Sequence, residues 1–111
     1  MRSLAPVAVR TNGAPSPPPF LSQGVLVGDF VFCSGQVGAD PTTGTLVKGP
    51  IQNRTRQILQ NLNAVLQATG CSLEDAVKVN IFLTDMADFA AVNEMYDTFF
   101  SGIKPVGCLA W

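Results

Sequence analysis

The chain has 111 residues, 47% of them apolar and 14% charged, with a net charge of −1. That suits one domain with a modest core and excludes a disordered tail. Seven dispersed basic residues build no cationic face for a phosphate backbone, so nucleic acid is not an expected partner. No apolar run approaches the ~20 residues a bilayer span requires, so no membrane partner is expected either.

The absence of histidine removes every Ser-His or Cys-His nucleophile pair. Cys33, Cys71 and Cys108 are three widely spaced thiols, which offer neither a zinc-type ligand set nor a disulfide framework. Any catalysis must then run on carboxylates, arginine, backbone groups, hydroxyls or bound water. An odd thiol count also indicates a reducing compartment, so the cytoplasm is the expected location. The first 28 residues contain Arg2 and Arg10 but no acid, which keeps the mitochondrion as a second location. Against a targeting helix stand Pro15, Pro17, Pro18 and Pro19.

Residues 1–19 read as an irregular leader ending in a stiff proline run, and 20–111 as a single domain. Gly24–Val27, Gly28-Asp29 and Phe30–Gln36 read as a β-hairpin, with glycine supplying the positive φ of a two-residue turn. Both faces of its second strand read as partly buried, with Val31 and Cys33 on one side and Phe30 and Phe32 on the other. Asp40-Pro41-Thr42-Thr43-Gly44 is a turn, and Leu46-Val47 offers a short strand after it.

Pro50 or Ile51 opens a long helix whose stripe is Ile51, Ile58, Leu59, Leu62, Val65 and Leu66, with Asn53, Arg56, Gln60 and Asn63 outward. Gly70 falls at a left-handed cap. Ser72 caps a short helix whose acids Glu74 and Asp75 read as helix-end charges rather than a catalytic pair. Val77–Leu83 alternates as a strand with Val77, Val79, Ile81 and Leu83 on one face. Asp85 caps a second helix with Phe89, Val92, Tyr96, Phe99 and Phe100 on one stripe. Lys104 reads as a solvated loop charge, and Val106–Trp111 as the start of a strand. The expected architecture is an α+β sandwich, one mixed sheet with two helices on one face. A second apolar sheet face (Phe30, Phe32, Phe82), together with the low overall charge, predicts an oligomer.

Ser22-Gln23-Gly24, Ser34-Gly35-Gln36-Val37, Asp40–Gly44, Gln57, Asn61-Leu62 and the run Asp85–Tyr96 together resemble the RidA (YjgF) family of enamine/imine deaminases. The likeness runs in unbroken order from about Ser22 to Pro105. It implies a chorismate-mutase-like fold, a homotrimer with clefts between subunits, and no metal or organic cofactor. The implied reaction is hydrolysis of reactive 2-imino or enamine acids to 2-oxo acids and ammonia. In it an arginine grips the substrate carboxylate and a late glutamate positions water.

Carried over by position, the resemblance assigns substrate contacts to Phe20, Ser34, Gly35, Asn93 and Tyr96, to Gly107 where the arginine is expected, and to its neighbour Cys108. Tyr96 also lies on the core stripe, and Cys108 reads equally as an inert buried thiol. Pro105-Val106-Gly107 departs from the family's Pro-x-Arg, and the last strand and its glutamate are not found by Trp111. The expected consequence is weak or lost deamination. The alternatives are a non-catalytic small-ligand or assembly module, or an enzyme acting on a different small imine or carbonyl compound. Arg10, Arg54 and Arg56 read as surface charges rather than substitutes.

Overall fold

The computed structural model describes residues 4–110, with side chains to residue 107. Strands β1 (Val7–Val9), β2 (Gly24–Val27) and β3 (Phe30–Cys33) form an antiparallel sheet in that order. Helix α1 (Ile51–Gln67) follows, then β4 (Lys78–Phe82), helix α2 (Phe89–Asp97) and β5 (Val106–Ala110). β4 and β5 pair in parallel, with Val79 opposite Gly107 and Asn80 opposite Cys108.

The α+β architecture with two helices follows the sequence pattern, but the single mixed sheet does not. The strands make two sheets, because among the described residues no ladder joins β3 to β4. Residues 1–19 are also not wholly irregular. Val7, Ala8 and Val9 pair with Leu26, Val25 and Gly24, so the apolar Val-Ala-Val run finds a strand partner despite the prolines after it. The Leu46-Val47 strand reduces to one bridge, Ala39 to Leu46, since the turn leaves too little chain for a ladder.

The hairpin turn is as expected: Val27 faces Phe30, and Gly28 has φ +57°. A positive φ at the first central position suits the right-handed twist of the flanking strands. In the 40–44 turn the Asp40 carboxylate accepts from the Thr42 and Thr43 amides at 2.7 and 3.3 Å. At the end of α1 the Cys71 and Gly70 amides donate to the Leu66 and Gln67 carbonyls, the closing pattern that a left-handed glycine permits.

Helix α1 is the spine that both sheets share. Its Val65 packs with Val9 and Ala14, with Leu26 alongside. Its Leu59 packs with Leu73 and Phe100, and Val79, Tyr96 and Phe99 close around them. Each such buried side chain contributes roughly 1.5–3 kcal/mol. Contact at the first site is close: a Cβ on Gly24 would lie 2.9 Å from a Val65 methyl and 3.1 Å from the Phe32 carbonyl. Only glycine lets α1 settle there.

Among the described residues, Gln23, Thr55 and Asn61 are buried polar groups, and the first and last tie α1 and the sheet to distant segments. Asn61 is fully buried, accepts from Gln57 Nε2 at 2.8 Å and donates to the Ala39 carbonyl at 2.9 Å. Gln23 accepts from the Thr11 amide at 2.7 Å and donates to the carbonyls of Thr11, Ala14 and Pro15. Asn61 fixes α1 to the loop before the 40–44 turn, and Gln23 sews the N-terminal segment onto the sheet.

The other sheet face is open. Phe30, Phe32 and Phe82 are 67%, 64% and 75% exposed, so within one chain β3 is not half-buried on both sides. The helices cover one face alone, and among the described residues nothing covers the phenylalanines. On β4, Val79 and Ile81 turn inward as the alternation predicts, but Val77 is exposed because it precedes the paired strand.

The second helix starts later than its pattern suggests. Asp85 Oδ1 accepts from the Ala87 amide at 2.9 Å and caps a single turn over Met86–Asp88, after which α2 begins at Phe89. At its far end Lys104 is an exposed loop charge, as its place before a proline suggests, but it is not without partners. It pairs with Asp97 at 3.1 Å and donates to the Phe100 carbonyl, the placement that a helix C-terminus favours for a cation.

Candidate functional site

Just beyond β3, the Ser34 hydroxyl donates to the Ser22 carbonyl at 2.6 Å while the Ser34 amide donates to the Gln23 carbonyl. The hydroxyl proton is therefore committed, and its oxygen remains an acceptor. Gly35 follows with open space where a side chain would stand. Phe20 is 82% exposed, in a turn closed by the Leu21 amide on the Pro18 carbonyl. Ser34 and Gly35 present a hydroxyl oxygen and bare backbone just past β3, and Phe20 presents an exposed ring in the segment before β2.

A second group belongs to α2 and β5. Asn93 is half-buried on the helix. Tyr96 turns toward the core, its ring 4.7 Å from that of Phe100, and burial pushes its hydroxyl pKa up. The core position that its stripe predicts is the one it occupies. Gly107 is exposed on β5. Cys108 pairs with Asn80 through the backbone, and the expectation for its thiol lies outside the described side chains. Among the described residues no hydrogen bond links the two groups within one chain.

Two further groups are shifted by their surroundings. Cys33 is pushed up first by burial and then by Cys71, so the thiol stays protonated and is a poor nucleophile. Glu74 accepts from the Ser101 amide at 3.1 Å, the Ser101 hydroxyl at 3.3 Å and the Gly102 amide at 3.2 Å. The Ser101 amide is the main cause of a lowered Glu74 pKa; loss of hydration opposes it, and the Gly102 amide, the Ser101 hydroxyl and Lys104 add to the lowering. This carboxylate ties the chain leading into β5 to the single turn at Leu73–Asp75.

A lowered folded pKa means that the tie stabilises above the ordinary glutamate value of 4.5 and is lost as the pH falls through the lower folded value. Wild type is therefore expected to melt above Glu74→Gln at neutral pH, and the two curves should converge in acid. Parallel curves from neutral to acid pH would show that the carboxylate contributes nothing through ionisation.

The family model described as Endoribonuclease L-PSP matches residues 11–110. A 2-iminobutanoate/2-iminopropanoate deaminase of Rattus norvegicus is 40% identical over 105 residues, covering 95% of this chain and 77% of the rat protein. The chain belongs to the RidA family. A RidA crystal structure from an Antarctic Psychrobacter superposes with a TM-score of 0.88 at 38% identity, over 93% of this chain and 83% of that one. The Escherichia coli protein TdcF, solved with bound serine, superposes at 0.89 with 33% identity, over 95% and 85%. The two-helix α+β arrangement is thus the RidA fold, and RidA membership rests on most of the chain.

Against that membership, Gln23 and Asn61 are the residues whose weight the sequence concealed. Each lies within a run that resembles the family, with nothing else in its immediate neighbours to single it out. Asn61 carried one further signal: it lies three residues after Ile58 and four before Val65, on the apolar stripe itself. A polar residue on a buried stripe must satisfy its hydrogen bonds inside.

Proposed function

We propose that this RidA-family chain forms a homotrimer whose clefts receive a small imino, enamine or carbonyl acid, and that it hydrolyses 2-imino acids weakly or not at all. The observation that carries the reading is Gly107. The position expected to grip a substrate carboxylate is exposed on β5 and has no side chain with which to do so. Support for the ligand class comes from the rat relative, named an imine deaminase, and from the serine-bound bacterial one.

The cleft is read as intersubunit because Ser34 and Gly35 belong to the antiparallel sheet while Gly107 belongs to the separate parallel pair. Copies packed through Phe30, Phe32 and Phe82 would bury the open face and bring the two groups together. No cofactor enters this chemistry; water would be activated by carboxylate and backbone groups alone. Although the matching family model bears an endoribonuclease description, the net charge of −1 offers little to a phosphate chain, and small acids fit better.

Generating the imine in situ with an amino-acid oxidase or threonine dehydratase and following its decay tests the reading. Decay close to the uncatalysed rate is expected. Turnover like that of an active family member would overturn the claim of weak activity, and a monomer in solution would overturn the cleft. A non-catalytic ligand-binding role is favoured over an enzyme with a different imine or carbonyl substrate if small acids bind saturably without turnover.

A further inference from the structure

A hollow of about 280 Å³ lies where the turn before α1 meets the outward face of that helix, lined by Val47, Lys48, Asn53, Arg56, Gln57 and Gln60. Two of these six carry positive charge and none carries negative charge. Among the described residues neither Lys48 nor Arg56 has an ion pair or a hydrogen bond from its charged end, whereas Lys104 has Asp97 and Arg10 has Ser16. Two exposed cations without partners at the rim of one hollow favour an anion there.

The surroundings add to that bias. α1 has 17 residues, no acid in its first turn and no side-chain cap at Pro50, so the positive end of its dipole is unanswered beside Lys48. The hollow is also fixed in shape. Asn53 Nδ2 donates to the Lys48 carbonyl at 3.1 Å and holds the turn against the helix, and Gln57 Nε2 is anchored to buried Asn61. Drug-sized ligand pockets run from about 300 to 1,000 Å³, so this volume suits a small anionic group rather than a dinucleotide.

We propose that this hollow binds the oxyanion group of a small metabolite, phosphate or carboxylate, between the Lys48 ammonium and the Arg56 guanidinium. The guanidinium fork suits two oxygens of such a group, and the ammonium supplies a point charge. The Asn53 and Gln60 amides offer further polar contacts from the helix face. Anion binding in this hollow is independent of any activity at Gly107.

Isotope-labelled protein titrated at constant ionic strength, first with inorganic phosphate and then with succinate, tests it. Saturable amide shifts confined to the 47–60 region are expected with at least one anion, and the anion that saturates identifies the group. Lys48→Ala and Arg56→Ala should each weaken binding by about tenfold, as expected for loss of one charge-assisted contact. Arg56→Lys should recover part of that loss, and Arg10→Ala should change nothing. Absence of saturation with both anions, shifts spread over all basic residues, or unchanged binding in Arg56→Ala would overturn the assignment. Wild type and Arg56→Lys decide the matter even where an alanine variant fails to fold.

Discussion

Gln23→Leu is expected to cost about 2–4 kcal/mol of stability, although leucine nearly preserves the volume of the side chain. At 2% exposure, Gln23 satisfies one amide and three carbonyls of the segment from Thr11 to Pro15. Leucine would leave those groups facing a hydrocarbon surface. The Thr11 and Pro15 carbonyls, partly buried, can recover water, while the deeper bond to Ala14 cannot be replaced in this way. That split sets the range below the full penalty for four orphaned groups. Against a typical total of roughly 5–15 kcal/mol, the loss is large.

Urea unfolding of Gln23→Leu should show a lower midpoint with an unchanged slope. Amide exchange should accelerate first between Arg10 and Ser16, because that segment loses its tie before the sheet does. Gln60→Leu, on the outward face of α1, serves as the control and should stay within about 0.5 kcal/mol. A Gln23 variant as stable as that control would show that the N-terminal segment is held by Val9 and Ala14 packing alone.

The contrast between these two glutamines marks how far the sequence reaches. Periodicity placed α1, β4 and the Val92 and Tyr96 face of α2, since burial of one face leaves a trace at every third or fourth residue. Phe89, however, is exposed, and Phe99 and Phe100 lie past the helix end. Gly28, Gly44 and Gly70 were legible because positive φ has few other tenants. Long-range pairing leaves no such trace. Val7–Val9 is too short to alternate convincingly, and its strand identity comes from β2, fifteen or more residues on. The separation of the sheet into two has the same origin, for strand order is decided by partners and not by the strand itself.

The candidate site was legible as types of residue but not as places. Ser34 and Gly35 were marked by resemblance, yet the Ser34 bond to Ser22 depends on how the segment before β2 returns beside β3. The exposure of Lys104 was legible but its partners were not, because Asp97 and the Phe100 carbonyl meet it only after α2 ends and the chain turns back. The Lys48–Arg56 hollow escaped for a similar reason. Eight residues and a helix start separate the two cations, and each by itself is an ordinary surface charge.

Gly107→Arg is expected to raise kcat/KM for 2-imino acid hydrolysis by thirty-fold or more. Removing one partner of a desolvated charge pair costs about 2–5 kcal/mol, and restoring it returns the same amount when the rest of the cleft is intact. At ~1.36 kcal/mol per decade this corresponds to about thirty-fold to several thousand-fold. One local obstacle works against the gain: a Cβ at position 107 would stand 3.1 Å from the Val79 carbonyl, so β4 must yield by a few tenths of an ångström. Two more variants separate the effects. Gly107→Ala introduces the contact without the charge and should lower stability slightly with no gain in turnover. Gly107→Lys adds a charge without the planar fork, and should recover less than arginine because it cannot hold both carboxylate oxygens at once. A folded, assembled Gly107→Arg protein no faster than Gly107→Ala would mean that the missing guanidinium is not what limits this chain. The search would then move to the water-activating carboxylate, because substrate held in place without an activated nucleophile does not turn over.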